Sequence, residues 1–157
     1  MGFLALLSCW FLYHLEFHYL TRSSGRLLFT HALLLPSALF VPFSTALLNT
    51  LTLSRQSLLP LEGNVLLLQL LLLLTWRHAV KGGLLFGSDV PARVVRRLRL
   101  ILRASTSAMV AVFGLAFVSA TASLGLLVAL FVTQIALVAK GGYTLDLRAG
   151  PERTAVP

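Results

Sequence analysis

From Ala104 to Ala139 the chain runs 36 residues without a charged side chain, a histidine or a proline. As a single helix that run would be roughly 54 Å long, against a bilayer hydrocarbon core of about 30 Å. Two crossings fit it better than one. The run therefore predicts an integral membrane protein and leaves few architectures open. Composition agrees: 57% of the 157 residues are hydrophobic and 11% are charged. A soluble domain carries about 25% charged residues. No stretch outside the apolar runs is long enough to form a separate domain.

Three further apolar stretches precede the long run. The first covers about Gly2 to Leu20 and ends in the polar-aromatic stretch YHLEFHYL. The second covers about Leu27 to Leu53, with Pro36 and Pro42 inside, where missing backbone donors predict a kink. The third covers about Leu61 to Val80. Its run from Leu66 to Leu74 reads as a bulky, lipid-facing surface. The long run itself divides into about Leu100 to Ser119 and Leu124 to Tyr143, with a turn near Ala120–Ser123.

The net charge of +8 raises the question of nucleic acid, but the positions argue for topology instead. Five spans put Arg22, Arg26, Arg77, Lys81, Arg93, Arg96, Arg97, Arg99, Arg103, Lys140, Arg148 and Arg153 on one side and Arg55 alone on the other. Four spans with one long last helix give a weaker split, nine against four. The fold expected is thus an all-α, five-span bundle, N-terminus outside and C-terminus inside. It occupies residues 1–143, with a short polar tail at 144–157. No nucleic-acid partner is expected. A bacterial inner membrane or an organelle membrane would suit it. The N-terminus lacks the basic segment of a signal peptide.

Before the fourth span lies KGGLLFGSDVP, a glycine-rich turn in which Ser88 or Asp89 can cap a helix and Pro91 can stand in its first turn. Then comes ARVVRRLRLILRAS. At 100° per residue, Arg93, Arg96, Arg97, Arg99 and Arg103 share one arc. Val94, Val95, Leu98, Ile101 and Leu102 share the other, and only Leu100 breaks the pattern. This reads as a basic amphipathic helix lying on anionic lipid before the fourth span.

Candidate cofactor residues gather toward the basic end. His14 and His18 are four apart near the end of the first span, His31 is near the start of the second, and His78 is near the end of the third. Imidazoles from facing helices can ligate a haem iron, and His14 with His31 is the best such pair. Glu16 alone among the five acids is placed well inside a span, facing Cys9 and Leu12 rather than the histidines. It could move a proton, touch a quinone hydroxyl, or pair with Arg22 or Arg26. The single cysteine, Cys9, excludes an internal disulfide.

The last two spans are rich in small residues, among them Ser107, Ala111 and Gly114, which let another helix approach closely. No phosphate-binding loop or hydrolase motif is present. The function expected is that of a small non-catalytic accessory subunit, packed against other integral membrane subunits and anionic lipid, with no cofactor. The alternative is a redox subunit holding haem b or quinone at the histidines. A small-molecule transporter ranks third, because buried polar groups look scarce.

Overall fold

In the computed structural model five α-helices follow one another: α1 Gly2–Phe17, α2 Gly25–Thr50, α3 Arg55–Lys81, α4 Ala92–Ala116 and α5 Ala120–Asp146. The structure describes residues 2–20, 22–50, 54–83 and 92–146, without the side chains of 94 and 138–146. The caps expected at Ser88, Asp89 and Pro91, and the tail from 147 onward, lie outside the described residues. Helix α5 runs past residue 143, the end set for the bundle from sequence. Helices α2 to α5 are each long and apolar enough to cross a membrane. Helix α1, with 16 residues, is shorter.

Three helices begin on a serine. Ser24 Oγ accepts the amide of Leu27 at 3.3 Å, and Ser119 Oγ accepts that of Ala122 at 3.4 Å. Ser54 and Ser57 exchange side-chain and backbone bonds in a capping box. Each cap satisfies amides that a helix start leaves open. The box starts α3 at Arg55, nearly two turns before the expected Leu61, and leaves Pro60 inside the helix. Helix α2 likewise continues through Pro36 and Pro42. Asn64 of α3 donates to the Ser37 carbonyl between those prolines at 2.9 Å, tying the two helices together.

The long apolar run does divide in two, and not as one continuous helix. The chain reverses at Phe117–Ser119, just before the expected Ala120–Ser123. The Leu115 carbonyl accepts the amides of both Val118 and Ser119, which closes α4, and Ser119 opens α5. A second expectation needs correcting. The basic segment is not a separate interfacial helix but the first turns of α4, unbroken into the apolar part. Its apolar face meets protein rather than lipid: Leu98 and Leu102 are buried with Leu12 of α1 and Leu72 and Trp76 of α3.

Helix α3 is the centre of the bundle. It packs most extensively on α2 and α4, while α1 docks against α5, α2 and α3. The reading of Leu66–Leu74 as lipid-facing holds for one side of the helix only: Leu67, Leu70 and Leu74 are exposed, while Leu68, Leu71 and Leu72 are buried. Two apolar clusters fill the interior. One joins Ala5, Cys9, Val41, Leu61, Val65, Leu68, Met109, Val112, Leu127 and Phe131. The other, toward the basic end, is the Leu12–Trp76–Leu98 group. Between them Gln69 of α3, Ser105 of α4 and Gln134 of α5 meet, each near the middle of its helix.

Candidate functional site

Each described histidine has its own surroundings. His14 is exposed and stacks on Trp10, with ring centroids 5.2 Å apart. His18 is exposed and meets Tyr19 edge-on. The His31 ring lies edge-on to Tyr13 and Phe17, and its Nδ1 is 2.7 Å from the Leu27 carbonyl. No ring contact joins His14 to His31 among the described residues. Nor does any group of three or more His, Cys, Asp or Glu side chains there suit a metal ion. His78 is half-buried at the end of α3, with its Nδ1 unpartnered.

Glu16 faces inward beside Leu12, as the helical wheel requires. It is 1% exposed, and neither carboxyl oxygen has a hydrogen-bond partner. The pairing with Arg22 or Arg26 is therefore absent, and both arginines point to the exterior. The arginine arc keeps its expected geometry: Arg93, Arg96, Arg97 and Arg103 are exposed, Arg99 is partly so, and Leu100 stands out at 60% exposure.

Ser107, Ala111 and Gly114 are all exposed, so they do not serve packing within the chain. A Cβ added at Gly114 would meet nothing within 4 Å. Helix α5 carries a similar outer stripe that the expectation did not single out as a unit. Gly125, Ala129 and Thr133 recur every four residues and are exposed, and the space beside Gly125 is likewise open. The small-xxx-small spacing was legible. Its outward direction was not.

The polar interior is where sequence reasoning fell short. Glu62, Gln69 and Trp76 stand seven apart on α3, so they share one face, and all three are buried. Each has a polar atom without a partner: Glu62 Oε2, Gln69 Nε2 and Trp76 Nε1. Taking Leu61 as the start of the span put Glu62 at its edge, and Glu16 then stood as the only acid well inside. The capping box moves the start back and carries Glu62 into the bundle. At the midplane Ser105 Oγ donates to Gln69 Oε1 at 2.7 Å and accepts from Gln134 Nε2 at 2.5 Å. Nearer the α4–α5 turn, Ser123 Oγ lies 2.6 Å from Glu62 Oε1 and 2.8 Å from the Val112 carbonyl. The interior thus holds more buried polar groups than the sequence suggests, Glu62, Asn64, Gln69 and Gln134 among them.

Comparison of the chain with protein-family models, with curated proteins and with solved structures gives no match. A functional reading has to come from the chain's own surfaces and interior.

Proposed function

We propose that the chain is a small accessory subunit of a larger membrane complex, holding its partner through the outer faces of α4 and α5. The observation carrying this reading is the exposure of Ser107, Ala111 and Gly114 beside that of Gly125, Ala129 and Thr133. Bulky side chains also stand outward, Val110, Leu126 and Val132 on these two helices and Leu28, Leu35, Leu39 and Phe43 on α2. Lipid tails fill the space around large side chains readily. Small residues offer little contact to lipid but admit another helix closely, where packing and weak hydrogen bonds hold it.

The test exploits the open space at the two glycines. Gly114→Leu and Gly125→Leu add a side chain that meets nothing within the chain at its Cβ, so folding should be unaffected. Overpacking a partner helix should release the variants from the native complex, read as loss of co-migration on a native gel. Normal assembly of both variants would sink the proposal.

The full topology belongs to the same reading: five spans, N-terminus outside and C-terminus inside. Helix α1 contributes Ala5 and Cys9 to one apolar cluster and Leu12 to the other, so it runs beside both halves of the bundle. The twelve-to-one split of Lys and Arg supports the orientation. The exposed arginine arc at the start of α4 then meets anionic headgroups at the inner face. Reporter fusions after Arg26, Arg99 and Pro157 should report one side, and a fusion at Gln56 the other. A Pro157 fusion siding with Gln56 would exclude five spans.

A further inference from the structure

The contacts of Ser123 contain a proton shortfall. Its Oγ sits within hydrogen-bond distance of two acceptors, Glu62 Oε1 at 2.6 Å and the Val112 carbonyl at 2.8 Å. A hydroxyl carries one proton, and an ionised carboxylate carries none. With Glu62 ionised, three buried oxygens would share a single proton, and one short contact would set lone pair against lone pair. A proton on Glu62 removes the conflict. Glu62 then donates to Ser123 Oγ, and Ser123 donates to the Val112 carbonyl. Glu62 and Ser123 are both fully buried, so bulk water is not at hand to repair the arrangement.

From this geometry we propose that Glu62 is a proton-binding site inside the membrane, built between α3 and the α4–α5 turn. The charged surroundings agree. Helices α4 and α5 carry no titratable side chain between Arg103 and Lys140. Those of α2, Arg26 and His31, lie in its first two turns, at the other end of the bundle. On α1, Cys9 is midway, and Tyr13, His14 and Glu16 lie toward the basic end. On α3, Arg55 is nearest, exposed, and seven residues away. Glu62 Oε2 is buried without a partner, so nothing described here neutralises an anion. Loss of the proton leaves Ser123 one proton for two acceptors, and donating it to the carboxylate gives up the bond to the Val112 carbonyl that joins α5 to α4. Proton occupancy is thereby coupled to how α4 and α5 pack. Ionisable groups inside spans mark proton and ion pathways in other membrane proteins, and this site has that chemistry.

Infrared difference spectroscopy tests it on the full chain in lipid vesicles at neutral pH. Subtracting Glu62→Gln from the unmodified protein should isolate a protonated-carboxyl C=O band that moves in deuterium oxide. Glutamine retains a donor for Ser123, so the variant should fold. Ser123→Ala should keep the band and shift it to higher frequency, because the acid loses its acceptor. Ionised-carboxylate bands in the first difference would overturn the proposal. If Glu62→Gln does not fold, the Ser123→Ala spectrum decides alone: no shift in any protonated-carboxyl component would overturn it equally.

Discussion

Helices α2 and α3 are near twins by length and hydropathy, yet they occupy opposite roles. Each has 26 or 27 residues and contains proline. Over its most apolar 18 residues α3 is 56% buried, against 28% for α2. Helix α2 turns Leu28, Leu35, Leu39 and Phe43 outward, while α3 keeps Leu58, Leu61, Leu68 and Leu72 inside. In water such a difference would show as an apolar stripe beside a polar face. In a bilayer lipid is as apolar as leucine, so apolarity cannot tell the lipid-facing helix from the central one. The polar residues can. Glu62, Asn64, Gln69 and Thr75 are all buried on α3, since each costs more against hydrocarbon than against protein. The hydroxyls of the buried polar residues of α2, Thr30, Ser37 and Ser44, bond to carbonyls of their own helix, and the tie to α3 comes from Asn64 reaching the Ser37 carbonyl.

The strongest way to break this contrast is to truncate one aromatic on each helix. Trp76→Ala empties a site that is 1% exposed and should cost about 3–5 kcal/mol. Phe43→Ala, at 61% exposure, should stay within about 0.5 kcal/mol. Unfolding in detergent followed by circular dichroism measures both. Equal losses would mean that the outer face of α2 is packed within the folded chain rather than exposed.

A smaller effect is expected from Gln69→Leu. It removes one member of the midplane group and leaves Ser105 without its acceptor on α3. Interhelical hydrogen bonds in membranes contribute about 1–2 kcal/mol in model peptides and nearer 0.6 in whole proteins. The loss should fall in that range by the same unfolding assay. A gain in stability would indicate that the polar layer serves something other than stability. Smallest should be Thr50→Val on α2, an exposed residue whose hydroxyl bonds to the Leu47 carbonyl of its own helix. A change beyond about 0.5 kcal/mol there would contradict an outward, lipid-facing α2.

Much of the fold was legible because it rests on local rules. The apolar runs, the reversal within the long run and the arginine arc all depend on composition or on helical period. The boundaries that moved did so through serine caps, a signal present in the sequence at Ser54–Ser57 and Ser119 but outweighed by hydropathy. The surroundings of the histidines were hidden for a different reason. Similar depth along the bundle axis says nothing about rotation around it, and α1 turns His14 outward while presenting Tyr13 and Phe17 to His31. The basic helix was expected on lipid because any amphipathic face can lie there. Leu12, Leu72 and Trp76 offered its apolar side a protein surface instead.

The amino-acid sequence alone determined that the chain has helices long and apolar enough to cross a membrane, and roughly where they lie. Backbone amides in hydrocarbon must bond within their own segment, which leaves helices as the solution for apolar runs of this length. Only the tertiary structure decided that α3 lies at the centre, that the small residues of α4 and α5 face outward, and that Glu62 meets Ser123 in the interior. Those outcomes depend on the rotation of each helix about its axis. Contacts between helices far apart in the sequence set that rotation, and no single segment encodes them.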